Sequence, residues 1–331
     1  MESVKSPKIS VVVTAYTIER INDIFELLDS IQAQSFNDLE TIFIIERSED
    51  LLNKVSDYLK LKNITCVQTI YSKEKIGLSG ARNLGISKAK GQIIAFIDDD
   101  VVLFPDWAEE MVKAYRDESI IGATGPGLPM WEDEKLKWLP EELFWIVSAT
   151  AFTGWKEERA VRSAWGMNMS FRREAFDTCI FSTNFGQTTG GKEAWKAGPV
   201  DDAEFSIQLR LKTKKSIIYN PHVQVYHKVY KYRLTRKFLR GQGYWQGYSK
   251  ALLKKMYPDD ADTKALVKEM DLLKRILLKL VPRSLLGLFR NPALYGKRLF
   301  YTYYVLFYVA LGYSTVAQPR IFGFTEKSFR S

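Results

Sequence analysis

Three adjacent carboxylates, Asp98, Asp99 and Asp100, stand at the end of the apolar run 91–97. An apolar run this short, opened by glycine and closed by polar residues, predicts a strand that is buried on both faces of a parallel sheet. Acids that follow such a strand lie at the sheet edge where open α/β folds bind ligands. Neighbouring carboxylates raise one another's pKa unless a cation compensates them, and Mg²⁺ or Mn²⁺ is suited to oxygen ligands. The cluster therefore indicates a divalent metal site, and a solvated acidic turn is the alternative.

A second acidic cluster, Asp201, Asp202 and Glu204, opens a helical apolar pattern over residues 207–211. Acids at a helix N-terminus can cap the helix and interact favourably with its dipole. A carboxylate at this position could instead remove a proton, since the chain has only two histidines that could do so near neutral pH. From the residues alone, both interpretations stay open.

The chain that must position these clusters alternates strands and helices. Apolar runs typical of buried strands cover residues 8–16, 39–45 and 65–71, and helical apolar spacing covers residues 21–34 and 51–61. Alternating elements of these lengths predict βαβ units and a mostly parallel sheet, which is an α/β fold.

A glycine-rich turn, with Gly77, Gly80 and Gly85, enters the helix that precedes the acidic strand. Backbone N–H groups of such a turn, together with the guanidinium of Arg82, could hold the ribose or phosphates of a nucleotide. An ordinary tight turn is the alternative, because glycine is also the residue that such turns need.

These features together resemble the nucleotide-sugar half of the family 2 glycosyltransferases. The resemblance rests on the strand end Thr14-Ala15-Tyr16, on Gly-Ala-Arg-Asn at residues 80–83 and on the acids at 98–100, and it covers roughly residues 8–230. It implies the GT-A (nucleotide-diphospho-sugar transferase) fold, a mostly parallel sheet flanked by helices, for a catalytic domain of residues 1–230.

The resemblance also implies roles for individual residues. The family's DXD motif corresponds to Asp98 and Asp100, which would hold the metal, with Asp98 also toward the ribose. Members of the family often carry a histidine near the metal or the diphosphate at the position of His227, and a surface histidine is the alternative. Glu46 stands where the family has an acid facing the nucleobase, although the Glu-Arg-Ser turn here departs from the more usual Asp-rich one. The residues expected to bind the nucleotide-sugar are Thr14, Ala15, Tyr16, Glu46, Gly77, Arg82, Asp98 and Asp99.

The second acidic cluster resembles the Glu-Asp motif that the family uses in catalysis. Direct displacement at the anomeric carbon needs a carboxylate that takes the proton of the acceptor hydroxyl as its oxygen attacks. We predict Asp202 as this base, with Asp201 as the alternative. Attack from the face opposite the leaving diphosphate would invert the anomeric configuration.

Charge is distributed unevenly along the 331 residues, whose net charge is +9. Residues 1–205 carry 23 basic and 33 acidic side chains, whereas residues 206–331 carry 25 and 6. A basic C-terminal third favours a polyanionic partner, and the alternation of basic and aromatic residues over 228–255 also suits single-stranded nucleic acid. Residues 272–290 combine leucines with basic residues, which is typical of a helix in a membrane interface. We therefore expect an anionic membrane surface as the partner, and no nucleic acid.

An uncharged stretch, residues 299–319, follows and has the rough length of a membrane-spanning helix. Its five tyrosines make it more polar than most spans, and tyrosine favours the water–lipid boundary. A shallow in-plane segment, a true span and a helix packed on the catalytic core are the three alternatives. We expect residues 231–331 to form a helical, basic and apolar C-terminal extension that associates with a membrane.

The resulting hypothesis is an inverting, metal-dependent glycosyltransferase, a hexosyltransferase or glucuronosyltransferase that uses Mn²⁺ or Mg²⁺. Chain length and the C-terminal extension resemble archaeal enzymes that extend dolichyl-phosphate-linked sugars, so we expect a UDP-sugar donor and a lipid-linked acceptor. The alternatives are a transferase acting directly on polyprenyl phosphate or on a capsular or cell-wall glycan, a nucleic-acid-binding protein and a non-catalytic nucleotide-sugar sensor. The polar start of the chain and its two distant cysteines predict a reducing environment, on the cytoplasmic face of the membrane.

Overall fold

The structure, a computed structural model, describes residues 9–183, 201–261 and 267–317. These residues form two compact units. The first unit comprises residues 9–128, 155–183 and 201–227, and the second comprises the remaining described residues.

The first unit is built on a sheet that has eight strands among the described residues, in the order β3-β2-β1-β4-β9-β6-β10-β8. The pairs β1–β2, β1–β4, β2–β3 and β6–β10 are parallel, and the pairs made by β9 and by β8 are antiparallel. The predicted α/β class with a mostly parallel sheet is therefore confirmed. The strands of this sheet are β1 Ile9–Ala15, β2 Leu39–Glu46, β3 Val67–Ser72, β4 Ile93–Asp98, β6 Ile120–Thr124, β8 Arg159–Val161, β9 Asn168–Arg172 and β10 Ser216–Tyr219.

Helices cover both faces of this sheet, which explains why the central strands read as unbroken apolar runs. One core cluster joins strand residues such as Val11 and Ile97 to Leu27 and Val55 of two helices. The other joins strand residues on the opposite face, such as Phe96, to Ala81 and Phe205 of two other helices. The helices of the first unit are α1 Ile21–Gln32, α2 Glu49–Leu61, α3 Gly77–Lys88, α4 Trp107–Lys113, α5 Ala175–Thr178 and α6 Asp201–Thr213.

The strand register brings the predicted site residues to one edge of the sheet. Thr14 pairs with Asp98, and Ala15 with Ile45, so the carboxyl ends of β1, β2 and β4 lie side by side. A smaller sheet adds β5 Val101–Leu103 and β11 Val225–Val229, which pair antiparallel with His227 opposite Val101. This pairing places His227 next to the acids that precede β5.

The second unit is mostly helical. Its cluster of buried residues combines short 3₁₀ segments with longer helices, through side chains such as Leu143, Leu239, Ile276 and Val305. The elements of this part of the chain are β7 Gly127–Trp131, the 3₁₀ segments Glu134–Trp138, Glu141–Val147, Ala151–Thr153 and Lys231–Leu234, α7 Arg236–Met256, α8 Val267–Arg275, the π-helix Ile276–Leu280, α9 Val281–Gly287 and α10 Pro292–Ala317.

Helices α7 and α10 pack closely because glycine removes the side chains between them. A Cβ at Gly247 would clash with the carbonyl oxygen of Val309, and one at Gly312 with that of Tyr244. Small residues four apart, as Gly243 and Gly247 are, allow such backbone-to-backbone approach, and membrane helices use them often.

Residues 299–317 of the predicted membrane segment lie in α10, and residues 318 and 319 lie outside the described residues. Among the described residues, α10 is the helix whose length and apolar composition would suffice to cross a membrane. The predicted division of the chain at residue 230 stays a prediction, and so does membrane association of the residues after it.

Candidate active site

The acidic cluster lies where β4 ends. Asp98 is the last residue of β4, and Asp99 and Asp100 form the turn into β5. Asp98, Asp100 and His227 each offer one ligand atom, and these three atoms lie within 4.8 Å of one another. The predicted metal ligands are thus brought together, although residue 227 is more than a hundred positions from the acids.

These three side chains fit a divalent cation. The Nε2 atom of His227 lies 3.2 Å from Oδ1 of Asp100. Two neighbouring ligands of an octahedral ion with bonds of about 2.1 Å lie roughly 3.0 Å apart, so the observed separation suits both atoms as ligands of one ion. Two carboxylates and an imidazole suit Mn²⁺, and Mg²⁺ would accept the same carboxylates.

Electrostatics also favours a cation at this place. Burial raises the pKa of Asp98, against the lowering effect of the Arg82 guanidinium. Burial likewise raises the pKa of Asp99 to about 6, and Arg20 opposes the shift. A raised pKa means that ionisation of these carboxyl groups is unfavourable at this site. A bound cation would stabilise the ionised carboxylates and so offset that free energy.

Arg82 connects the two acidic clusters. Its Nη1 atom donates to Oδ2 of Asp201 at 2.7 Å, and its Nη2 atom lies 3.7 Å from Oδ1 of Asp98. Nη2 also donates to the carbonyl oxygen of Gly166 at 3.3 Å. Since one buried guanidinium reaches a carboxylate of each cluster, residues 98 and 201 border the same site.

Asp202 differs from its neighbour in its surroundings. Asp201 is buried and paired with Arg82, whereas Asp202 is half-buried at the start of α6. The Oδ2 atom of Asp202 accepts from the N–H of Gly166 at 3.0 Å, and Oδ1 accepts from the N–H of Ala203. Burial raises the pKa of Asp202, and the charge of Asp201 adds to the rise. An accessible carboxylate with a raised pKa is a better proton acceptor than a buried one that is neutralised by arginine.

The remaining predicted nucleotide contacts lie along the same sheet edge. Thr14 and Ala15 are the last residues of β1, where Thr14 pairs with Asp98, and Tyr16 follows them. The Oε2 atom of Glu46 accepts from the N–H groups of Ile76 and Gly77 at 2.9 and 2.7 Å, so this carboxylate caps the first turn of α3. Gly77 has a φ of +68°, in the left-handed region that favours glycine. The nucleobase contact of Glu46 and the nucleotide contacts of residues 14–16, Gly77, Arg82 and Asp99 stay predictions.

Two residues of the site were not found from the sequence. Arg20, in a short 3₁₀ turn Ile18–Arg20 after β1, contacts Asp99 and Asp100. The carbonyl oxygen of Gly166 accepts a hydrogen bond from Arg82, and its N–H donates one to Asp202. A Cβ at this position would lie 3.1 Å from the guanidinium. The signal for Arg20 was its place just beyond the carboxyl end of a central strand, whereas no local signal marks Gly166.

Comparison with known proteins identifies the family of the chain. The family model described as Glycosyl transferase family 2 matches residues 10–180. The chain belongs to glycosyltransferase family 2. Over 288 residues it is 30% identical to the glucosyl-dolichyl phosphate glucuronosyltransferase of Haloferax volcanii, an alignment that covers 87% of this chain and 88% of that protein. The protein is therefore a glycosyltransferase, as predicted.

Solved structures show the fold. The mannosyltransferase PcManGT of Pyrobaculum calidifontis, in complex with GDP-Man and Mn²⁺, matches with a TM-score of 0.62 at 17% identity, over 96% of this chain and 89% of that one. GalNAc-T7 with UDP, GalNAc and Mn²⁺ matches with a TM-score of 0.52 at 17% identity, over 75% of this chain and 51% of that one. These similarities confirm the predicted GT-A fold of this family 2 enzyme.

Proposed function

We propose that this glycosyltransferase is an inverting, divalent-metal-dependent enzyme that transfers a sugar from a nucleoside-diphosphate sugar to a lipid-linked sugar. The observation that supports the proposal most strongly is the contact of one guanidinium, that of Arg82, with carboxylates of both acidic clusters. A cation site and a proton acceptor on either side of one sugar ring are what direct displacement needs.

The donor would bind at the carboxyl edge of the sheet. Asp98, Asp100 and His227 would hold Mn²⁺ or Mg²⁺, and the bound cation would neutralise the negative charge that develops on the leaving diphosphate. Residues 14–16 at the end of β1 would border the nucleotide, because their strand lies beside the acid-bearing strand β4. We propose a UDP-sugar as the donor.

Asp202 would act as the base. Its half-buried carboxylate can receive a proton, and hydrogen bonds from the N–H groups of Gly166 and Ala203 fix its orientation. Asp201 would be a poorer base, because its ion pair with Arg82 neutralises its negative charge. Proton removal by Asp202 as the acceptor oxygen attacks, opposite the leaving group, would invert the anomeric configuration.

Similarity to the Haloferax enzyme suggests the acceptor and the transferred sugar. That relative's name gives glucosyl-dolichyl phosphate as the acceptor and glucuronate as the transferred sugar, and the alignment covers most of both chains. We propose the same acceptor class here, a sugar linked to a dolichyl or polyprenyl phosphate, with glucuronate as the first donor sugar to test.

A panel assay tests the enzymatic proposal. Purified protein would be incubated with Mn²⁺ or Mg²⁺, a set of UDP- and GDP-sugars, and either a short polyprenyl-phosphate glucose or the polyprenyl phosphate alone. We expect one nucleotide-sugar to be consumed, a product one sugar heavier by mass spectrometry, and no product in EDTA. Transfer to the bare polyprenyl phosphate would instead support the alternative acceptor, and consumption of no donor in any combination would contradict the proposal.

The second unit offers a surface suited to an anionic membrane. Leu278, Leu286 and Phe289 are 73, 71 and 91% exposed, which is unusual for large apolar side chains. Exposed Lys279 and Arg283 lie between them in sequence. Apolar side chains that enter the acyl region and basic ones that meet lipid phosphates are the features of an interfacial helix. We propose that the segment 276–290 binds the membrane surface.

We further propose that α10 lies along the membrane and does not cross it. Helix α10 packs on α7 through glycines, as described above, so the two helices would enter a bilayer together. Lysine and arginine inside a bilayer are costly, by about 2.5–3.5 kcal/mol each at its centre and less toward its surfaces, and α7 carries six of them. The basic residues of α7 are Arg236, Lys237, Arg240, Lys250, Lys254 and Lys255.

Membrane extraction distinguishes these arrangements. We expect alkaline carbonate to release the protein from membranes, and liposome binding to require anionic lipid. The triple change of Leu278, Leu286 and Phe289 to serine should weaken liposome binding by at least about 100-fold, because each large apolar side chain contributes about 1.5–3 kcal/mol when buried. Leu61→Ser, at a leucine 77% exposed in the first unit, is the matched control and should bind normally. Resistance to carbonate would contradict the in-plane arrangement.

A further inference from the structure

Arg20 lies against the acidic cluster, although the proposed reaction assigns it no role. It comes from the 3₁₀ turn after β1, whose start is fixed by Thr17 accepting from the N–H of Glu19. Its Nη1 atom lies 2.5 Å from Oδ1 of Asp99 and 3.2 Å from Oδ2 of Asp100. Both carboxylates are buried, so this positive charge acts on them with little screening by water.

This contact separates the two oxygens of Asp100. Oδ2 faces Arg20, and Oδ1 faces Nε2 of His227 at 3.2 Å. The oxygen directed toward the proposed metal ligands is thus the one that does not face Arg20. Asp99 makes the shortest contact with Arg20, and its carboxylate is not among the three ligand atoms that lie close together.

We propose that Arg20 is a positioning residue that supplies the counter-charge of the acidic cluster before a cation binds, and that it selects the cation's nucleotide complex over the bare ion. The inference rests on the proposed metal site. A fixed positive charge beside three carboxylates stabilises them without metal, and it repels a second cation by the same interaction. A metal ion that carries a diphosphate brings less positive charge, and its phosphate oxygens are attracted to the guanidinium.

Loss of the Arg20 charge should change the affinities for two ligands in opposite directions. Arg20→Met should bind bare Mn²⁺ at least about fivefold more tightly than the unchanged protein, because the repelling charge is gone. The same variant should bind UDP, in saturating Mn²⁺, at least about fivefold more weakly. Removal of a residue that served folding alone would weaken both. Free Mn²⁺ is measured by electron paramagnetic resonance, and UDP binding by calorimetry, on the full chain.

Thermal unfolding gives an independent readout. In EDTA, Arg20→Met should melt at a lower temperature than the unchanged protein, because the buried carboxylates lose their counter-charge, and saturating Mn²⁺ should recover most of the difference. Arg20→Lys keeps the charge and should hold the Mn²⁺ affinity within about twofold. Arg20→Gln also removes the charge but leaves a polar side chain. This variant allows the same test if the methionine variant does not fold.

A matched control excludes a general effect of losing an arginine. Arg173 donates to the carbonyl oxygens of Gly91 and Ala89 at 2.8 Å, at the other end of β4. Arg173→Met should leave both affinities unchanged. Unchanged or weaker binding of bare Mn²⁺ by both neutral Arg20 variants would overturn the proposal, and so would unaltered UDP binding. If the unchanged protein itself bound Mn²⁺ but no nucleotide, the proposed function would fail, whereas the bare-ion comparison would still test the counter-charge.

Discussion

The contributions of Arg82 and Asp201 to the free energy of unfolding should depend strongly on each other. Both side chains are only 4% exposed, and the two atoms lie 2.7 Å apart. Removing one member of a buried pair leaves the other charge uncompensated and costs about 3–5 kcal/mol. We therefore expect Arg82→Met to lower the free energy of unfolding by about that amount, and Asp201→Asn to lower it less, because the amide can still accept a hydrogen bond.

A double-mutant cycle measures this coupling. The double variant Arg82→Met/Asp201→Asn removes both charges, so its cost should fall short of the sum of the single costs by about 2–3 kcal/mol. The assay is urea unfolding followed by circular dichroism in EDTA, so that no cation alters the balance, with linear extrapolation to water.

The control cycle combines Asp201→Asn with Arg173→Met, since Arg173 binds backbone carbonyls away from Asp201. These changes should be additive within about 0.5 kcal/mol. Additivity of the Arg82 and Asp201 changes to the same degree would refute the reasoning, because it would mean that the two residues do not meet and that the acidic clusters are not joined by this arginine.

Three further predictions concern the metal, pH and the helical unit. Mn²⁺ at about 100 times its dissociation constant should add about 2.7 kcal/mol to the free energy of unfolding, and Asp100→Asn or His227→Ala should abolish this increase, as measured by thermal unfolding with and without EDTA. Since burial raises the pKa of Asp202 and the base must be ionised, kcat/KM should rise with pH through a value above the ordinary carboxyl pKa of 3.8; a midpoint at or below 3.8 would argue against this base. Gly247→Ala should cost about 1–3 kcal/mol by forcing apart two backbones, whereas Gly296→Ala, whose Cβ would have no atom nearer than 3.9 Å, should cost nothing measurable in the same unfolding assay.

The architecture of the first unit was predictable because its signals are local. The apolar run ending at Asp98 is a strand with both faces buried, and the acids stand at its carboxyl end as the βαβ pattern requires. His227 was placed near the metal by resemblance to the family, and the antiparallel pairing of β11 with β5 supplies the physical reason.

Contacts between distant parts of the chain were less predictable. Nothing local shows that Arg82 would turn to Asp201, or that Glu46 would cap α3 through the N–H of Gly77, because both depend on how separate elements meet. Helix α10 begins at Pro292, several residues before the uncharged stretch. The bounds of that stretch were set by the absence of charged residues, whereas the helix extends as far as its backbone hydrogen bonds continue.

We propose that Asp202 removes the acceptor's proton beside a metal-bound donor. The most direct measurement is kcat of Asp202→Asn, with Mn²⁺-dependent UDP binding measured on the same preparation and Glu204→Gln, a buried carboxylate on the same helix, as the control. We expect a fall in kcat of about 1,000-fold for Asp202→Asn with UDP binding retained, and at most a small change for Glu204→Gln. A kcat for Asp202→Asn within about tenfold of the unchanged enzyme would contradict it.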